Sequence, residues 1–340
     1  MKAAVMHEFG KPLVVEDVPV RPPAGNEVLV RVHSCGVCYS DVKLFKGLLP
    51  RERLPALPHI LGHEIAGVVE GVGPLVRGVE PGTRVGVHFY ATCGRCSQCR
   101  TGHEPLCENL INQIGFTCNG GYAEYVTVPG RNVVPLPGNV GFDEAGIAAD
   151  AIATSVEAVK RTAHVGLADR VAIIGAGGLG IHAVQVARLV GAWVLAVDVS
   201  AAKLEQAAEL GAHECRLHSD MGDCGAKLFD VVIDAVGRQD TVKTSLRLVR
   251  PGGRIIMLGY ASDVSFSIPT PEIVHHQITV SGSRASSMQS YVEAITLLER
   301  GQLTPLISRR YPLEQATRAL EDLSSGAVSG RAVLDIADQS

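Results

Sequence analysis

The sequence predicts an α/β protein of two domains, one built on a doubly wound parallel sheet and the other on irregular, mostly antiparallel β-structure. Three observations lead to this prediction. The 340 residues are enough for about two domains. From Val171 to Ser200 the chain reads as strand, glycine turn, helix and strand, and further β/α alternations follow. Before about Pro137, short β runs are instead broken by glycine and proline.

The composition excludes several classes of function. The formal net charge is −4 without a basic block, so nucleic acid and anionic membrane surfaces are poor partners. The N-terminus lacks the uninterrupted apolar core of a signal peptide, and glycines interrupt the apolar run from Val171 to Ala187. Nine cysteines, four of them in one cluster, suit metal binding in a reducing compartment. We therefore expect a cytoplasmic protein with no membrane partner.

The first part of the chain is predicted to be a β domain whose polar loops and strand ends carry the chemistry. Its β runs are Lys2 to Val5, Val28 to Val32, Ile65 to Val69, Arg84 to Val87 and Tyr122 to Val128. Between them lie Cys35-Gly-Val-Cys38 and, after a proline-rich loop, His63-Glu64. No βαβ unit follows the two cysteines, which disfavours a thioredoxin-like redox pair. A thiolate, an imidazole and one more anionic ligand would make a zinc site with an open fourth position.

A second cysteine cluster is the most specific signal in the chain. Cys93, Cys96 and Cys99 follow one another at three-residue spacing, and Cys107 comes eight positions later. Four thiols this close can enclose one tetrahedral ion and stabilise a loop with little apolar content. The pattern predicts a structural zinc; free surface thiols and an iron–sulfur cluster are the alternatives.

An aspartate lies within a strongly apolar helical pattern. The segment from Asp143 to Val165 is mainly helical, and Asp150 lies there among alanine and isoleucine. Burying this carboxylate without a partner would be costly. Asp150 is therefore either an exposed or capping position of the helix, or a group whose partner is a metal ion.

The glycine turn is typical of dinucleotide binding. The turn residues expected to bind the dinucleotide are Gly175, Gly177, Gly178, Leu179 and Gly180. They follow a strand and open a helix whose N-terminus can face the pyrophosphate. Asp198 ends the next strand, where a carboxylate can accept hydrogen bonds from the adenosine ribose. Because its charge would repel a 2′-phosphate, we expect NAD rather than NADP. The alternative is a simple βαβ packing turn.

The remaining pattern completes a dinucleotide-binding sheet of the Rossmann type. The strands Val171 to Ile174 and Trp193 to Val197 are followed by runs near His213 to Leu217, Phe229 to Asp234, Gly253 to Leu258 and Ile278 to Ser281. These make about six strands. Helices are predicted between residues 236 and 254, over Tyr291 to Arg300 and over Leu313 to Leu323, and a last strand over Arg331 to Ile336.

Taken together, these motifs resemble the zinc-containing medium-chain alcohol dehydrogenases, in particular bacterial members with aspartate as the third ligand of the catalytic zinc. The motifs are Cys38-Tyr-Ser-Asp41, Gly62-His-Glu64, the four-cysteine cluster, Gly120-Gly-Tyr-Ala-Glu-Tyr125, the glycine turn and Gly330-Arg-Ala-Val-Leu334. The resemblance implies a GroES-like catalytic domain over residues 1–150 and 287–340, and a Rossmann NAD-binding domain over residues 151–286.

The resemblance also implies two zinc ions per chain. Cys38, His63 and Asp150 would ligate the catalytic ion, and Cys35 would not. Glu64 would be a nearby carboxylate or a transient ligand, and Asp41 could orient His63 through its other ring nitrogen. The second ion is the structural zinc of the four-cysteine cluster.

The implied activity is the reversible, NAD-dependent oxidation of primary and secondary alcohols to aldehydes or ketones, by hydride transfer from a zinc alkoxide. Ser40 would accept the alcohol proton, and Lys43 stands where many relatives end the proton relay on histidine. A homotetramer is expected, with a dimer as the alternative. The rival functions are a dehydrogenase of a polyol or cyclic hydroxyacyl-CoA, and a non-catalytic zinc- and nucleotide-binding protein.

Further cofactor contacts follow from the resemblance alone. Thr154 and Leu179 would press on the nicotinamide, and Lys203 would contact the adenosine ribose. Arg331 would contact the pyrophosphate. Tyr39 replaces the basic residue with which some relatives bind that phosphate, so a hydroxyl remains there without the charge.

Overall fold

A computed structural model of the chain describes residues 1–223, 225–260 and 264–337. The chain divides into two compact units. The first contains Met1–Ala153, Ser286–Arg300 and the residues from Ile307 onward, and the second contains Thr154–Ala285 and Gly301–Leu306. Among the described residues, no helix combines the length and apolar content that crossing a bilayer requires.

The first unit is built on short, mostly antiparallel strands. They are β1 (Lys2–Met6), β2 (Val14–Asp17), β3 (Glu27–Val37), β4 (His59–Ile60), β5 (Glu64–Val72), β6 (Arg84–Val87), β7 (Tyr90–Ala91), β8 (Asn112–Gln113), β9 (Tyr125–Pro129) and β10 (Val133–Pro135), with β17 (Ile307–Pro312) and β18 (Arg331–Asp335) late in the chain. The main sheet has the order β10-β6-β5-β3-β18-β17, and β9 also pairs with β3. Only β17 and β18 pair in parallel among the described strands of this unit. The predicted irregular β domain is confirmed.

The register of this sheet brings three chain segments together at one end of its strands. Gly36, near the end of β3, lies opposite Glu64 at the start of β5. On the other side of β3, Val37 pairs with Ala332 of β18. A methyl group on Gly36 would lie 1.9 Å from Glu64 Oε2, so any side chain at this position would displace Glu64. The residues after β3 and at the starts of β5 and β18 are therefore neighbours.

The second unit contains a six-stranded parallel sheet. Its strands are β11 (Arg170–Ile174), β12 (Trp193–Asp198), β13 (Glu214–Leu217), β14 (Phe229–Asp234), β15 (Val249–Met257) and β16 (Thr279–Gly282), in the order β13-β12-β11-β14-β15-β16. The chain starts in the middle of the sheet, winds to one edge and then to the other, as in a doubly wound fold. The predicted Rossmann sheet of six strands is confirmed.

Ten α-helices lie in the described chain. They are α1 (Tyr39–Phe45), α2 (Ser97–Arg100), α3 (Phe142–Ile147), α4 (Ala153–Val156), α5 (Gly180–Leu189), α6 (Ala201–Glu209), α7 (Gln239–Leu248), α8 (Thr270–His276), α9 (Met288–Glu299) and α10 (Ala316–Ser324). The helix predicted from Leu313 begins at Ala316, because Leu313–Gln315 forms a 3-10 turn directly after Pro312.

Two π-helical segments, Ala148–Ile152 and Glu157–Thr162, flank α4. Such segments are rare and often mark functional positions.

The single tryptophan of the chain lies in the second unit, at the start of β12. The Arg170 guanidinium lies 4.1 Å from the centre of the Trp193 ring. The His213 ring stacks on the tryptophan at 5.5 Å with an angle of 11° between the planes. Trp193 is thus fixed at the amino end of the parallel strands, opposite the end at which Asp198 closes the same strand.

Candidate metal centre and dinucleotide turn

Four side chains that carry metal-binding atoms meet inside the first unit. The ligand atoms of Cys38, His63, Glu64 and Asp150 all lie within 4.8 Å of one another, and all four residues are buried. Asp150 Oδ2 lies 3.5 Å from Cys38 Sγ and 3.8 Å from His63 Nε2. Ligands around tetrahedral zinc are separated by about 3.3–3.8 Å. The donor set and its spacing therefore fit zinc.

Each of these side chains comes from a different part of the fold. Cys38 follows β3 and is the N-terminal cap of α1, and Glu64 begins β5 directly after His63. Asp150 lies in the π-helical segment Ala148–Ile152. Asp150 is buried, so its carboxylate is not an exposed helix position.

The completely buried Asp41 contacts both Cys38 and His63. Asp41 Oδ2 accepts a hydrogen bond from the Cys38 backbone N–H (2.9 Å) and one from the Tyr122 hydroxyl (3.3 Å). Its Oδ1 lies 3.1 Å from His63 Nδ1, the contact expected from sequence. With Nδ1–H donating to Asp41, Nε2 is the ring nitrogen that faces Asp150 and is available to a metal ion. Although burial lowers the pKa of His63, the charge of Asp41 and hydrogen bonds to Asp150 and Asp41 raise it well above its ordinary value.

Two carboxyl groups of the centre share one buried guanidinium. Arg331 is buried, and its Nη2 lies 3.0 Å from both Glu64 Oε1 and Asp150 Oδ2. Burial raises the pKa of Glu64 to about 8 despite the charge of Arg331. Within the described chain, neither Glu64 oxygen has a hydrogen bond of good geometry. Arg331 thus faces two carboxyl groups at once, and its charge does not offset the burial of Glu64.

Two aromatic rings line the centre beside His63. The His63 ring lies 5.0 Å from the Phe89 ring and 4.7 Å from the Phe116 ring, measured between centres. Phe89 is buried and Phe116 partly exposed. The family resemblance puts Phe89 where relatives line the substrate pocket, whereas its place beside a β run is by itself typical of a core aromatic. Nothing in the sequence indicated Phe116.

The predicted proton-transfer residues lie on the short helix α1. Ser40 and Lys43 are three residues apart, so their side chains leave the helix on the same side. Burial lowers the pKa of Lys43, and the nearby negative charge of Cys38 opposes that effect. Tyr39 is half exposed, and the Lys43 ammonium lies 5.9 Å from the centre of its ring.

The second cysteine cluster is a compact group of four sulfur atoms. Sγ–Sγ distances are 3.5 Å between Cys96 and Cys99, 3.9 Å between Cys93 and Cys99, and 4.0 Å between Cys96 and Cys107. About 3.8 Å is the separation expected around a tetrahedral zinc ion with four thiolates. Hydrogen bonds from the backbone of Arg95 and Cys96 lower the pKa of Cys93 to about 6. The thiols thus fit a closed site.

In the second unit, three of the four glycines of the glycine turn differ in the space around them. Gly175 has φ = +93°, and a methyl group on it would lie 2.6 Å from Val236 Cγ2. On Gly180, a methyl group would lie 1.7 Å from the Gly175 carbonyl oxygen. Around Gly177, by contrast, no heavy atom would lie within 4 Å of an added methyl group. Packing therefore explains two of the glycines, and the open space at Gly177 fits a pyrophosphate that approaches the bare backbone.

The other predicted cofactor residues of this unit lie around the same turn or on the next helix. The Asp198 carboxylate accepts hydrogen bonds from the backbone N–H groups of Ala176 (2.7 Å) and Ser200 (3.0 Å). Its oxygens retain lone pairs for a ribose. Ser155 Oγ donates to the Leu179 carbonyl at 2.9 Å, beside the buried Thr154. Lys203 lies in the first turn of α6.

The structure thus brings the predicted ligands together and adds groups that sequence reasoning missed. Arg331, predicted as a pyrophosphate contact, lies against the metal ligands. Tyr122 belongs to a quoted family motif, yet only the fold shows its bond to Asp41. Arg331 lies at the start of a predicted strand and within a family motif, and neither signal indicated that it meets Glu64 and Asp150.

Comparison with known proteins agrees with this architecture. Residues 24–138 match the model of an alcohol dehydrogenase GroES-like domain, and residues 178–300 match that of a zinc-binding dehydrogenase. The chain is 35% identical to an alcohol dehydrogenase of Geobacillus stearothermophilus, with 99% of this chain and 100% of that protein covered. It is 32% identical to an NAD-dependent alcohol dehydrogenase of Sulfurisphaera tokodaii, with 98% and 99% covered.

Among solved structures, a thermostable alcohol dehydrogenase from Pyrobaculum aerophilum, bound to cobalt and zinc, has a TM-score of 0.90 to this chain. The two sequences are 31% identical, and the match covers 98% of this chain and 99% of the other.

Proposed function

We infer that this chain, which belongs to the zinc-containing medium-chain alcohol dehydrogenase family, oxidises alcohols reversibly to aldehydes or ketones with NAD. The observation that carries the site assignment is the buried cluster of Cys38, His63, Glu64 and Asp150, with ligand atoms within 4.8 Å. We propose that Cys38, His63 and Asp150 hold the catalytic zinc and that Glu64 stays beside it, paired with Arg331.

Zinc held there would supply a Lewis acid that lowers the pKa of an alcohol. The chain's own residues prepare that chemistry. Asp41 holds His63 in the tautomer whose Nε2 can bind the metal. One thiolate and one carboxylate match the charge of a divalent ion, so the loaded centre is formally neutral. Phe89 and Phe116 place apolar surface beside His63, which favours an uncharged alcohol over an ionic substrate.

We propose that the alcohol proton leaves along helix α1. Ser40 Oγ accepts it and Lys43 Nζ passes it to solvent. The spacing of three residues supports this path, because it directs both side chains to one side of the helix. The lowered pKa of Lys43 supports it as well, because a neutral amine is needed to accept a proton.

NAD, when bound, would accept the hydride. We propose that the pyrophosphate lies against the turn around Gly177, with Gly178 and the N-terminus of α5 presenting backbone N–H groups. The remaining cofactor contacts are proposed from family membership: Asp198 and Lys203 for the ribose, Thr154 and Leu179 for the nicotinamide, and Tyr39 for a phosphate. Arg331 would serve the pyrophosphate only if it left its pairing with Glu64 and Asp150, so its assignment is to the metal centre.

A second, structural zinc is proposed for Cys93, Cys96, Cys99 and Cys107. The four sulfur atoms come from a segment with only short helical turns, α2 and Glu104–Leu106, and little buried apolar surface. An ion bound to all four would contribute directly to the folding of this segment.

A homotetramer is also proposed, with a dimer as the alternative. The strand β16 lies at the edge of its sheet, and its free edge can pair with a second copy of the chain.

Metal analysis tests the proposal. Purified protein should contain two zinc ions per chain, and mild chelation should remove one of them together with NAD reduction. The reason is that an open site with an oxygen ligand releases its ion more readily than a closed site of four thiolates. Activity is followed with a panel of primary, secondary and cyclic alcohols. One retained zinc and no turnover with any alcohol would favour the non-catalytic zinc- and nucleotide-binding protein.

A lysine variant tests the proton path. Lys43→Met should lower the rate of alcohol oxidation at neutral pH by about 10²-fold, the usual contribution of a positioned acid or base. In the unchanged enzyme, the rate should rise with pH through the pKa of Lys43, which burial holds below the ordinary 10.5, because the neutral amine is the active form. The variant should lack this rise.

Lys46→Met is the matched control, since Lys46 is exposed and ends the same helix. Steady-state rates between pH 6 and 10 should separate the two variants. Identical pH profiles for the Lys43 variant and the unchanged enzyme would exclude Lys43 from the path and leave water as the proton acceptor.

A further inference from the structure

A histidine on the dinucleotide helix makes contacts that simple packing does not require. His182 lies in the first turn of α5, directly after the glycine turn, and its side chain is completely buried. Its ring Nδ1 lies 2.8 Å from the carbonyl oxygen of Gly178. The backbone N–H of Leu306 donates to its Nε2 at 3.3 Å. All of these residues belong to the second unit.

These partners define the state of the ring. A carbonyl oxygen can only accept a hydrogen bond and a backbone N–H can only donate one. Nδ1 must therefore carry the proton and Nε2 must be bare, so the ring is the neutral Nδ1–H tautomer. The side chain thus donates to the glycine turn and accepts from the segment Gly301–Leu306.

The backbone of the first helical turn explains why the ring is needed. The His182 backbone N–H donates to the Leu179 carbonyl, and the Ile181 N–H donates to the Gly177 carbonyl. The carbonyl of Gly178, between them, is met by the His182 side chain instead. Glycine has few conformational restraints, and Gly177 and Gly178 are adjacent, so the peptide planes of this turn can rotate readily. The bond to His182 restrains one of them.

That restraint acts on the phosphate side of the turn. In a planar trans peptide, the carbonyl of Gly178 and the N–H of Leu179 point in opposite directions. With the Gly178 carbonyl directed toward the His182 ring, the N–H of Leu179 is directed away from that ring. A donor group held in place before binding loses less entropy when an anion arrives.

We propose that His182 is a positioning residue for the cofactor: it fixes the Gly178–Leu179 peptide so that its N–H faces the dinucleotide pyrophosphate. This inference rests on the proposed NAD site, and it adds a residue that lies behind the turn and does not touch the phosphate. The Leu306 contact holds the ring in the orientation that the bond to Gly178 requires. Gln185, one turn further along α5, binds the same segment by donating to the Thr304 carbonyl (2.9 Å) and accepting from its N–H (2.8 Å).

Two similar substitutions separate the two ring contacts. In His182→Asn, the side-chain amide can place a donor at the position of Nδ1 and keep the bond to Gly178, but it cannot reach Leu306. In His182→Gln, the longer side chain can place an acceptor at the position of Nε2 and keep the bond to Leu306, but the bond to Gly178 is lost. Gln185→Met is the control, since it releases Thr304 and leaves Gly178 untouched.

The measurement is the equilibrium Kd for NADH, from the fluorescence of the nucleotide itself, on the zinc-loaded enzyme. His182→Gln should raise the Kd about tenfold, as expected for one lost positioning hydrogen bond. His182→Asn and Gln185→Met should stay within about threefold of the unchanged enzyme. At saturating NAD, kcat and the KM for alcohol should change little in Gln185→Met, because that substitution touches neither the glycine turn nor the metal centre. Thermal unfolding of each variant identifies any general loss of stability.

Three results would overturn the proposal. Equal weakening by His182→Asn and His182→Gln would show that the ring acts only through packing. An unchanged Kd in His182→Gln would show that the Gly178 contact has no effect on the cofactor. Failure of the unchanged enzyme to bind NADH at all would remove the NAD site itself, and this result is distinguishable because it appears before any substitution is made.

Discussion

Cys38→Ser should abolish alcohol oxidation while leaving NAD binding intact. A serine hydroxyl is a poor ligand for zinc beside the Asp150 carboxylate and His63, so the catalytic ion should be lost or weakly held. Lewis-acid activation contributes several kcal/mol, and each 1.4 kcal/mol is a factor of ten in rate, so the loss should be about 10³-fold or more. Zinc content should fall from two ions per chain to one, while the Kd for NADH should stay within a few-fold.

Cys35→Ala is the matched control for this variant. Cys35 is buried near the end of β3, the strand that Cys38 follows. Its sulfur lies near Gly62 and Gly121, and it is not a member of the ligand cluster. The control should retain both zinc ions and most of the activity, with a modest loss of stability from the smaller side chain. If Cys38→Ser retained both zinc ions and full turnover, the assigned centre would be wrong.

Two alanine substitutions in the glycine turn should have opposite consequences. Gly180→Ala brings a methyl group to 1.7 Å from the Gly175 carbonyl oxygen, so the backbone must shift and the second unit should lose about 3 kcal/mol or more of stability. Gly177→Ala adds a methyl group with no protein atom within 4 Å, so unfolding should be unchanged. The methyl group would instead occupy space needed by the pyrophosphate, and the KM for NAD should rise about 10- to 100-fold, a cost of about 1–3 kcal/mol.

Thermal unfolding and NAD titration of the two variants distinguish packing from binding. Each variant serves as the control for the other, because they add the same group to the same turn. The proposed pyrophosphate site would be contradicted if Gly177→Ala bound NAD as tightly as the unchanged protein. A stable Gly180→Ala variant would instead contradict the close contact between helix and turn.

The parts of this protein that the sequence predicted best are those encoded by local spacing. Each of these features lies within a short stretch of sequence, where residue type and period determine the structure. They are the glycine turn, each single strand of the parallel sheet, and the four-cysteine cluster. The predicted cluster of Cys38, His63 and Asp150 spans more than a hundred residues and depended on the resemblance to a family. The register of β3 with β5 explains physically why Cys38 and His63 meet. Asp150 comes from the separate helical segment Ala148–Ile152.

What the sequence could not predict depends on contacts between distant residues. Arg331 reaches Asp150 across 181 positions of chain, and His182 meets Leu306 across 124. Neither spacing nor periodicity encodes such approaches. The π-helical conformation around Asp150 was equally hidden, because its sequence of alanine and isoleucine is that of an ordinary buried helix. The start of α10 was misplaced because Leu313–Gln315 continues the apolar pattern in a 3-10 turn.

The position of the single tryptophan has a practical consequence. Because Trp193 is the only indole in the chain and lies within the second unit, intrinsic fluorescence excited at the red edge of protein absorption reports on that unit alone. Its contacts with Arg170 and His213 depend on the amino ends of the parallel strands staying together. Circular dichroism, in contrast, averages over both units. Chemical denaturation followed by tryptophan fluorescence and by circular dichroism therefore shows, without an added label, whether the two units unfold together. Coincident transitions indicate cooperative unfolding, and separate transitions indicate independent unfolding.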